Sequence, residues 1–299
     1  MAKNLNAFVM SITPFGEGDA LDEAALRHHL RRLRDARVGV YIGSSASGEG
    51  FSLSKEELNR VLAIAVEELK GRVPVRAMGC EVRQTGEMVD FLWRASRHAL
   101  DAVHIFAPEM GHGAKPTPAE LDKYYSTVIE ETSLPVVLSS YQTLGYDVPV
   151  ALIEQLLERF PQITGFVYGG RDIRYLCQAI ERLADRIEVH CAGPANALTT
   201  LGLGGHGFMG HEGNLAPMLV ASVISTFQSG DNAGLAKAFG ALMGINAIHH
   251  RHGVRSMKPL LSAFGLPGGT IRLPRLAISA EELNEVIEAT DRLNIPELS

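Results

Sequence analysis

The sequence is poor in the residues that build disulfide-linked or nucleic-acid-binding proteins. Its 299 residues include only three cysteines, Cys80, Cys177 and Cys191, and these have no CxxC spacing. Three buried thiols in a reducing compartment are therefore expected, rather than a disulfide or zinc framework. The net charge is −6 at pH 7, with acidic and basic residues interspersed, which argues against a nucleic-acid or membrane-surface partner.

Long hydrophobic runs are also missing. Every apolar stretch is interrupted by glycine, histidine or charge well before the roughly 18 residues of a membrane span. The N-terminal stretch MAKNLNAFVMSITPF contains one lysine but no apolar run of signal-peptide length. We therefore expect a cytoplasmic protein with no membrane partner. The 46% of hydrophobic residues is enough for a sizeable core.

Short apolar runs alternate with longer helical patterns along most of the chain. Segment 55–70, KEELNRVLAIAVEELK, places its apolar residues on one stripe, and Ser54 with Glu57 makes a capping box at its start. The pattern predicts strands at 8–12, 38–43, 73–78, 102–106, 135–139, 163–168, 187–191 and 206–209. It predicts helices near 22–36, 55–70, 84–100, 117–132, 149–159, 171–184, 195–203 and 216–228.

Such strand–helix units need parallel strands, because each crossover helix returns the chain to the same end of the sheet. Eight units within about 230 residues match a (β/α)8 TIM barrel, whose usual size is about 250 residues. A doubly wound open sheet is the alternative, but it would need fewer strands. We predict an α/β fold with a barrel over 1–230 and a C-terminal helical extension over 231–299, packed on the barrel. The extension is predicted to contain helices near 231–252, 255–266 and 279–293.

A barrel places its functional residues in the loops after the strands. The Gly43–Gly48 loop follows the second strand, and it offers backbone N–H groups with the hydroxyls of Ser44, Ser45 and Ser47. Such a loop can hold a carboxylate or another anion, although a tight turn needing small residues explains the same sequence equally well. We predict that these serines bind the substrate, together with Gly193 after the seventh strand.

Side chains that can transfer protons follow several of the predicted strands. Tyr141 and Tyr168 lie near the ends of strands five and six, where a phenol can donate to an oxyanion or pack the barrel top. Glu109 and His112 follow strand four, and His211 follows strand eight. Carboxylates and imidazoles there can act as acid and base near neutral pH, or hydrogen-bond to the backbone. We take these five residues as the catalytic candidates.

Five stretches carry a pattern of loops and strands that matches a known family, among them TSLPVVL (132–138), which is similar to the fifth strand. VGVYIGSSASGEGFSLSKEE (38–57) is similar to a Gly-[Ser/Thr]-Thr-Gly-Glu loop followed by a capped helix, with two extra residues in the loop. GRVPVRAMG (71–79), LGLGGHGFMGHEGNLAP (201–217) and LPGGTIRLPRLAIS (266–279) are similar to the third strand, the eighth strand and a C-terminal segment. With these motifs the chain resembles the dihydrodipicolinate synthase and N-acetylneuraminate lyase family of pyruvate-dependent aldolases. The resemblance implies a homo-oligomer, a tetramer built from dimers, whose loop binds the pyruvate carboxylate.

The predicted sixth strand differs from the family pattern. Family members form a Schiff base between pyruvate and a lysine that follows a Gly-aliphatic pair. Here Gly165-Phe166 matches the pair and Val167 comes next, so the resemblance implies that the imine-forming lysine is absent. Ser139 likewise stands where the family's fifth strand ends in a tyrosine. The chain has seven lysines, and only Lys115 is predicted to lie on a loop at the barrel mouth.

Three functions fit this pattern. The leading hypothesis is a lyase that cleaves a carbon–carbon bond or dehydrates a small oxo-acid or hydroxy-acid without a lysine imine. One alternative is a non-catalytic binding or regulatory protein that keeps the aldolase fold. Another is a metal-assisted aldolase or hydratase, in which a divalent metal replaces the imine as electron sink. We predict no metal and no cofactor, and we interpret the histidines of IHHRHGVRS (248–256) as cations at a helix C-terminus.

Overall fold

The computed structural model describes residues 4–298 and contains eight parallel strands in a closed barrel, in the order β1 to β8. The predicted (β/α)8 barrel is therefore confirmed, and each strand lies within a few residues of its predicted place. The strands are β1 Asn6–Met10, β2 Gly39–Ile42, β3 Val75–Met78, β4 Ala102–Ile105, β5 Val136–Tyr141, β6 Ile163–Gly169, β7 Glu188–Ala192 and β8 Gly207–Gly210.

Helices follow every strand, and three more lie in the C-terminal segment. Ser54 and Glu57 cap the second helix with the predicted capping box, because the serine accepts from Glu57 N and the glutamate accepts from Ser54 N. Among residues 4–298, none of the helices is long and apolar enough to cross a bilayer. The helices are α1 Glu23–Asp35, α2 Lys55–Leu69, α3 Thr85–Ala95, α4 Pro118–Glu130, α5 Val150–Arg159, α6 Ile173–Leu183, α7 Ala197–Gly202, α8 Pro217–Ser229, α9 Asn232–His252, α10 Val254–Ala263 and α11 Ala280–Asp291.

Two compact units make up the chain. The first comprises residues 76–209 with Asn4, and the second comprises residues 5–75 and 210–298. The predicted boundary at residue 230 stays a prediction.

In the first unit, the register of β5, β6 and β7 positions Val167. Its Cα is paired with those of Ser139 and His190 on the neighbouring strands. The rings of Phe166 and Tyr168 lie 6.4 Å and 4.5 Å from the ring of Tyr175 on α6, between centroids. Because side chains alternate along a strand, Val167 points to the opposite face, which is the inside of the barrel.

In the second unit, one asparagine fixes the segment that follows β8. The side chain of Asn214 accepts a hydrogen bond from Ile12 N at 3.0 Å and contacts His29 Nε2 at 2.9 Å. It donates to Met10 O at 2.9 Å and to His211 O at 2.8 Å. A buried amide with all of these partners holds its neighbours in one geometry. The turn that carries His211 is therefore anchored to β1 and α1.

An apolar cluster in the same unit holds the C-terminal helices together. Its buried members lie just after β1, just before α8, and in or beside the helices α9 to α11, so the three helices share one core with the segment after β1. They are Ile12, Leu215, Ala216, Ile245, Met257, Leu260, Leu261, Ile278, Val286 and Ile295.

Candidate functional site

Two of the predicted site residues meet in the second unit. Ser47 lies in the loop after β2, His211 follows β8, and the serine hydroxyl is hydrogen-bonded to Nδ1 of the imidazole. Burial lowers the pKa of His211 to about 4, so the ring is neutral at pH 7. In the tautomer that carries its hydrogen on Nδ1, the neutral ring donates to the serine oxygen and keeps a lone pair on Nε2 that can take a proton. The pair therefore combines a hydroxyl with a ring that can act as a base.

This pair forms part of the wall of a cavity of about 330 Å³. Three imidazoles and two guanidiniums lie in the wall, and no carboxylate of residues 4–298 does. A cavity with this lining favours a negatively charged ligand. The lining residues are Ala46, Ser47, His211, His249, His252, Gly253, Val254, Arg255 and Arg275.

His249 stands beside His211 in the cavity. The two ring centroids are 4.7 Å apart, and burial lowers the pKa of His249 to about 4. Within residues 4–298, His249 Nδ1 has no hydrogen-bond partner. Two neutral imidazoles in contact can pass a proton between them or to a ligand. The HHRH tract lies in the last turn of α9, as the sequence predicted, but the low pKa makes His249 neutral rather than a cation.

A buried carboxylate lies next to the pair. Glu212 accepts a hydrogen bond from Asn246 Nδ2 at 2.7 Å through Oε1, and its Oε2 has no partner in the described part of the chain. The charge of Glu212 raises the pKa of His249, although burial outweighs it. No group of three or more His, Cys, Asp or Glu side chains among residues 4–298 is arranged to hold a metal ion.

The loop that carries Ser47 is folded on itself. The hydroxyl of Ser44 accepts a hydrogen bond from Gly48 N at 3.1 Å, and its carbonyl accepts one from Gly50 N at 2.9 Å. A Cβ at Gly48 would come within 2.9 Å of the backbone of Ser44, so only glycine fits there. The buried Ser44 hydroxyl therefore stabilises the loop, whereas the hydroxyl of the half-buried Ser45 makes no hydrogen bond to residues 4–298.

Arg275, in the segment between α10 and α11, holds the outer side of this loop. Its two terminal nitrogens donate to Ala46 O at 2.9 Å and to Ser45 O at 3.2 Å. The guanidinium also lies 4.5 Å from the ring centroid of Phe51. The C-terminal segment thus positions the loop and contributes a charged wall of the cavity.

A buried ion pair holds the inner side of the loop. Glu49 and Lys258 form a salt bridge with both side chains fully buried, and Glu49 has a left-handed backbone with φ of 49°. Lys258 also donates to Thr270 O at 2.7 Å and lies 4.2 Å from the ring centroid of Phe15. Burial lowers the pKa of Lys258 to about 8. Lys258 does not line the cavity.

In the first unit, Tyr141 and Gly193 meet around one methionine. The phenol of Tyr141 donates to Met209 Sδ at 3.8 Å, and Gly193 N donates to Met209 O at 2.6 Å. The Tyr141 ring centroid is 5.3 Å from that of Phe106. This predicted catalytic residue therefore has largely apolar neighbours.

The other predicted residues of the first unit make different contacts. The Tyr168 ring stacks on Tyr175 of α6, its hydroxyl accepts from Asp172 N at 3.2 Å, and burial raises its pKa. Glu109 Oε1 accepts from Arg83 Nη2 at 3.5 Å. His112 is exposed, in a turn where its φ is 47°.

Sequence reasoning identified Ser47 and His211 as candidates but missed four residues of the cavity. Two of them, His249 and His252, belong to the HHRH tract at the end of α9. The other two, Arg255 and Arg275, lie in α10 and in the segment RLPR. The residues were visible as motifs, but nothing in their spacing predicts that they face the loop after β2.

In (β/α)8 barrels the loops after the strands are where functional sites lie, and the cavity is lined in part by the loops after β2 and β8. The sequence profile of the dihydrodipicolinate synthetase family matches residues 3–292, and the chain belongs to this family. The 4-hydroxy-tetrahydrodipicolinate synthase of Methanosarcina barkeri is 27% identical over 96% of this chain and 97% of its own length.

Solved structures of two relatives have the same fold. Dihydrodipicolinate synthase from Aquifex aeolicus aligns with a TM-score of 0.89 at 22% identity, over 98% of this chain and 99% of the other. N-acetylneuraminate lyase from Fusobacterium nucleatum aligns with a TM-score of 0.85 at 21% identity, over 97% of this chain and 99% of the other. At these identities the likeness is one of fold.

Proposed function

We propose that the chain is a lyase that acts on a small oxo-acid or hydroxy-acid by proton transfer, without a lysine imine. The observation that carries the proposal is the hydrogen bond between Ser47 and His211 in the wall of a cavity that also contains Arg255 and Arg275. The guanidiniums can bind a carboxylate, and the neutral imidazole can act as the base.

In this proposal His211 is the base. It takes the proton from a substrate hydroxyl, the adjacent carbon–carbon bond breaks, and the electron pair moves into an enolate of the departing acid. Arg275 stabilises the negative charge of that enolate, and the protonated imidazole returns its proton to the enolate carbon. Dehydration uses the same groups, except that the base takes a proton from carbon and returns it to the leaving hydroxyl. Ser47 holds the ring through Nδ1 in both cases.

Val167 supports the absence of an imine at the sixth strand. The residue is 1% exposed, it points into the barrel, and a valine side chain has no group that can attack a carbonyl. Among residues 4–298, Lys258 is the one buried lysine, and it is paired with Glu49. Lys115, the predicted lysine of a mouth loop, is exposed.

A binding or regulatory protein is the second candidate. The surroundings of Tyr141 favour it, since the phenol donates to Met209 Sδ at 3.8 Å and the centroid of its ring lies 5.3 Å from that of Phe106. In that case the cavity would hold an acid but would not convert it. The two candidates differ in whether a bound acid changes chemically over time.

The test begins with a thermal-shift screen of oxo-acids and hydroxy-acids, because a ligand of the folded state raises the apparent stability. Each acid that binds is then incubated with the wild type and with His211→Gln and followed by proton NMR. Product from the wild type with at least a hundredfold loss in His211→Gln supports the lyase. Binding without product supports the binding protein, and no binding by any acid contradicts both.

We also propose that the chain forms a homo-oligomer, a tetramer built from dimers, as closed symmetric assemblies are common. Static light scattering at micromolar concentration tests this, and a monomer mass would contradict it.

A further inference from the structure

The cavity of the second unit has two guanidiniums where one would suffice for a monocarboxylic acid. Arg275 lies on the side of the loop after β2, and Arg255 lies at the start of α10. In the described part of the chain no carboxylate lines the cavity, whose volume of about 330 Å³ is at the small end of the range for ligand pockets. These features raise the question of whether the ligand has a second acidic group.

Arg275 is held in place and still has donors to offer. Its terminal nitrogens donate to Ala46 O and Ser45 O, but a guanidinium has five N–H groups. No carboxylate among residues 4–298 forms an ion pair with Arg275, although Lys258 is near enough for the two charges to repel. Its charge is therefore available to an anion in the cavity.

Arg255 is held differently. Its Nε donates to Leu276 O at 2.8 Å, and its two terminal nitrogens donate no hydrogen bond to residues 4–298. Because Leu276 follows Arg275 in the chain, both guanidiniums are tied to the same short segment. The charge of Arg255 acts on the carboxylate of Glu282, which accepts from Ser279 N at 2.8 Å and caps α11. The fork of Arg255 is therefore fixed on one side and available on the other.

The start of α10 adds to the positive side of the cavity. Gly253 and Val254 line it together with Arg255, and they are the first residues of this ten-residue helix and its cap. The first N–H groups of a helix have no partner inside it and carry a partial positive charge. This supplements the two side chains and would not suffice by itself.

We propose that the cavity binds a small dicarboxylate, with one carboxylate on Arg275 and the other on Arg255 and the start of α10. Bidentate pairing with a carboxylate is the geometry that a guanidinium fork favours. The proposal rests on the proposed function in one respect, since it assumes that this cavity is the substrate site. It goes further by naming the class of acid and the residue that recognises the second group.

The test compares succinate with butyrate, which has the same number of carbons but one carboxylate. Calorimetric titration at pH 7 and fixed ionic strength is carried out on the wild type, on Arg255→Gln and on Arg251→Gln. The matched control Arg251 lies on α9, is exposed, and does not line the cavity. We expect the wild type and Arg251→Gln to bind succinate at least about tenfold more tightly than butyrate.

Arg255→Gln should lose this preference by weakening succinate about tenfold while leaving butyrate unchanged. Arg255→Lys, which keeps the charge, should retain part of the preference, and this variant covers the case in which Arg255→Gln unfolds. Equal affinity of the wild type for both acids would overturn the dicarboxylate and leave the proposed function standing. A succinate preference that survives in Arg255→Gln would overturn the assigned residue. No binding of either acid by the wild type would overturn the dicarboxylate, whereas the proposed function is decided by the screen of oxo-acids and hydroxy-acids.

Discussion

Ser47 and His211 lie 164 positions apart in the chain, and the hydroxyl of one is hydrogen-bonded to Nδ1 of the other. Each belongs to a segment fixed by its own anchors. The loop after β2, which carries Ser47, is held by Arg275 and by the buried Glu49. The turn after β8, which carries His211, is held by Asn214. The contact is therefore built into the folded chain and does not depend on a ligand to form it.

We expect Ser47→Ala to weaken binding of whichever acid the screen identifies by about tenfold to a hundredfold. A hydrogen bond to a charged group is worth about 1.5–3 kcal/mol, and the change also leaves His211 Nδ1 without its partner. Ser45→Ala is the matched control, because that hydroxyl makes no hydrogen bond to residues 4–298. Calorimetric titration of both variants measures the effect. Equal affinities for the two would remove Ser47 from the site.

Ser44→Ala should mainly lower the free energy of unfolding. Its buried hydroxyl accepts from Gly48 N, and loss of such a bond costs about 0.5–1.5 kcal/mol of unfolding free energy. Urea unfolding of Ser44→Ala and Ser45→Ala measures the difference between a buried, bonded hydroxyl and a half-buried one. If Ser45→Ala lost as much as Ser44→Ala, the loop would not be held in the way described.

Lys258→Met should destabilise the protein by about 3–5 kcal/mol, because it leaves the carboxylate of Glu49 buried without a counter-charge. The double variant Glu49→Gln/Lys258→Met should recover most of that loss. Lys237→Met, at an exposed position on α9, is the control and should leave the unfolding free energy unchanged. If Lys258→Met were as stable as the wild type in urea, the ion pair of Glu49 and Lys258 would not be what holds the loop.

The free energy of unfolding should fall as the pH drops from 7 to 5. Burial lowers the pKa of His29 to about 3, so the unfolded chain takes up this proton near pH 6.5 while the folded chain does not. The stability from His29 is therefore complete above pH 6.5 and is lost towards acid pH, by about 2 kcal/mol at pH 5. His29→Gln should make the decline shallower by that amount, and the exposed neighbour His28→Gln should not. Urea unfolding at both pH values measures this.

Val167→Lys should not restore pyruvate aldolase activity by itself. An imine needs proton relays, and Ser139 stands beside residue 167 where the family resemblance implies a tyrosine. Steady-state assay of the variant with pyruvate and small aldehydes tests this. Sustained turnover by the single variant would contradict the expectation and would show that the surrounding site is less altered than we propose.

The sequence predicted the barrel because each element repeats its own local signal. The stripe and capping box of 55–70 appear as α2 with the same first residue. The site was harder to predict than the barrel, because the contact of Ser47 with His211 and the position of Arg275 depend on how distant segments pack. Tyr168 shows a second feature that the sequence could not predict, namely the direction in which a strand residue points. A strand covered on both faces has no polar side to fix its orientation, so its apolar pattern does not reveal which residues point towards α6.

The most direct test of the account is intact-mass spectrometry after borohydride reduction of the protein saturated with pyruvate or another 2-oxo-acid that calorimetry shows to bind. With Val167 on β6 we predict no imine, so the mass should equal that of the untreated chain while a lysine-dependent aldolase treated in parallel gains the reduced acid. A gain of one reduced acid would contradict the central claim. Peptide mapping of that adduct to Lys115 or Lys258 would identify the lysine that forms the imine.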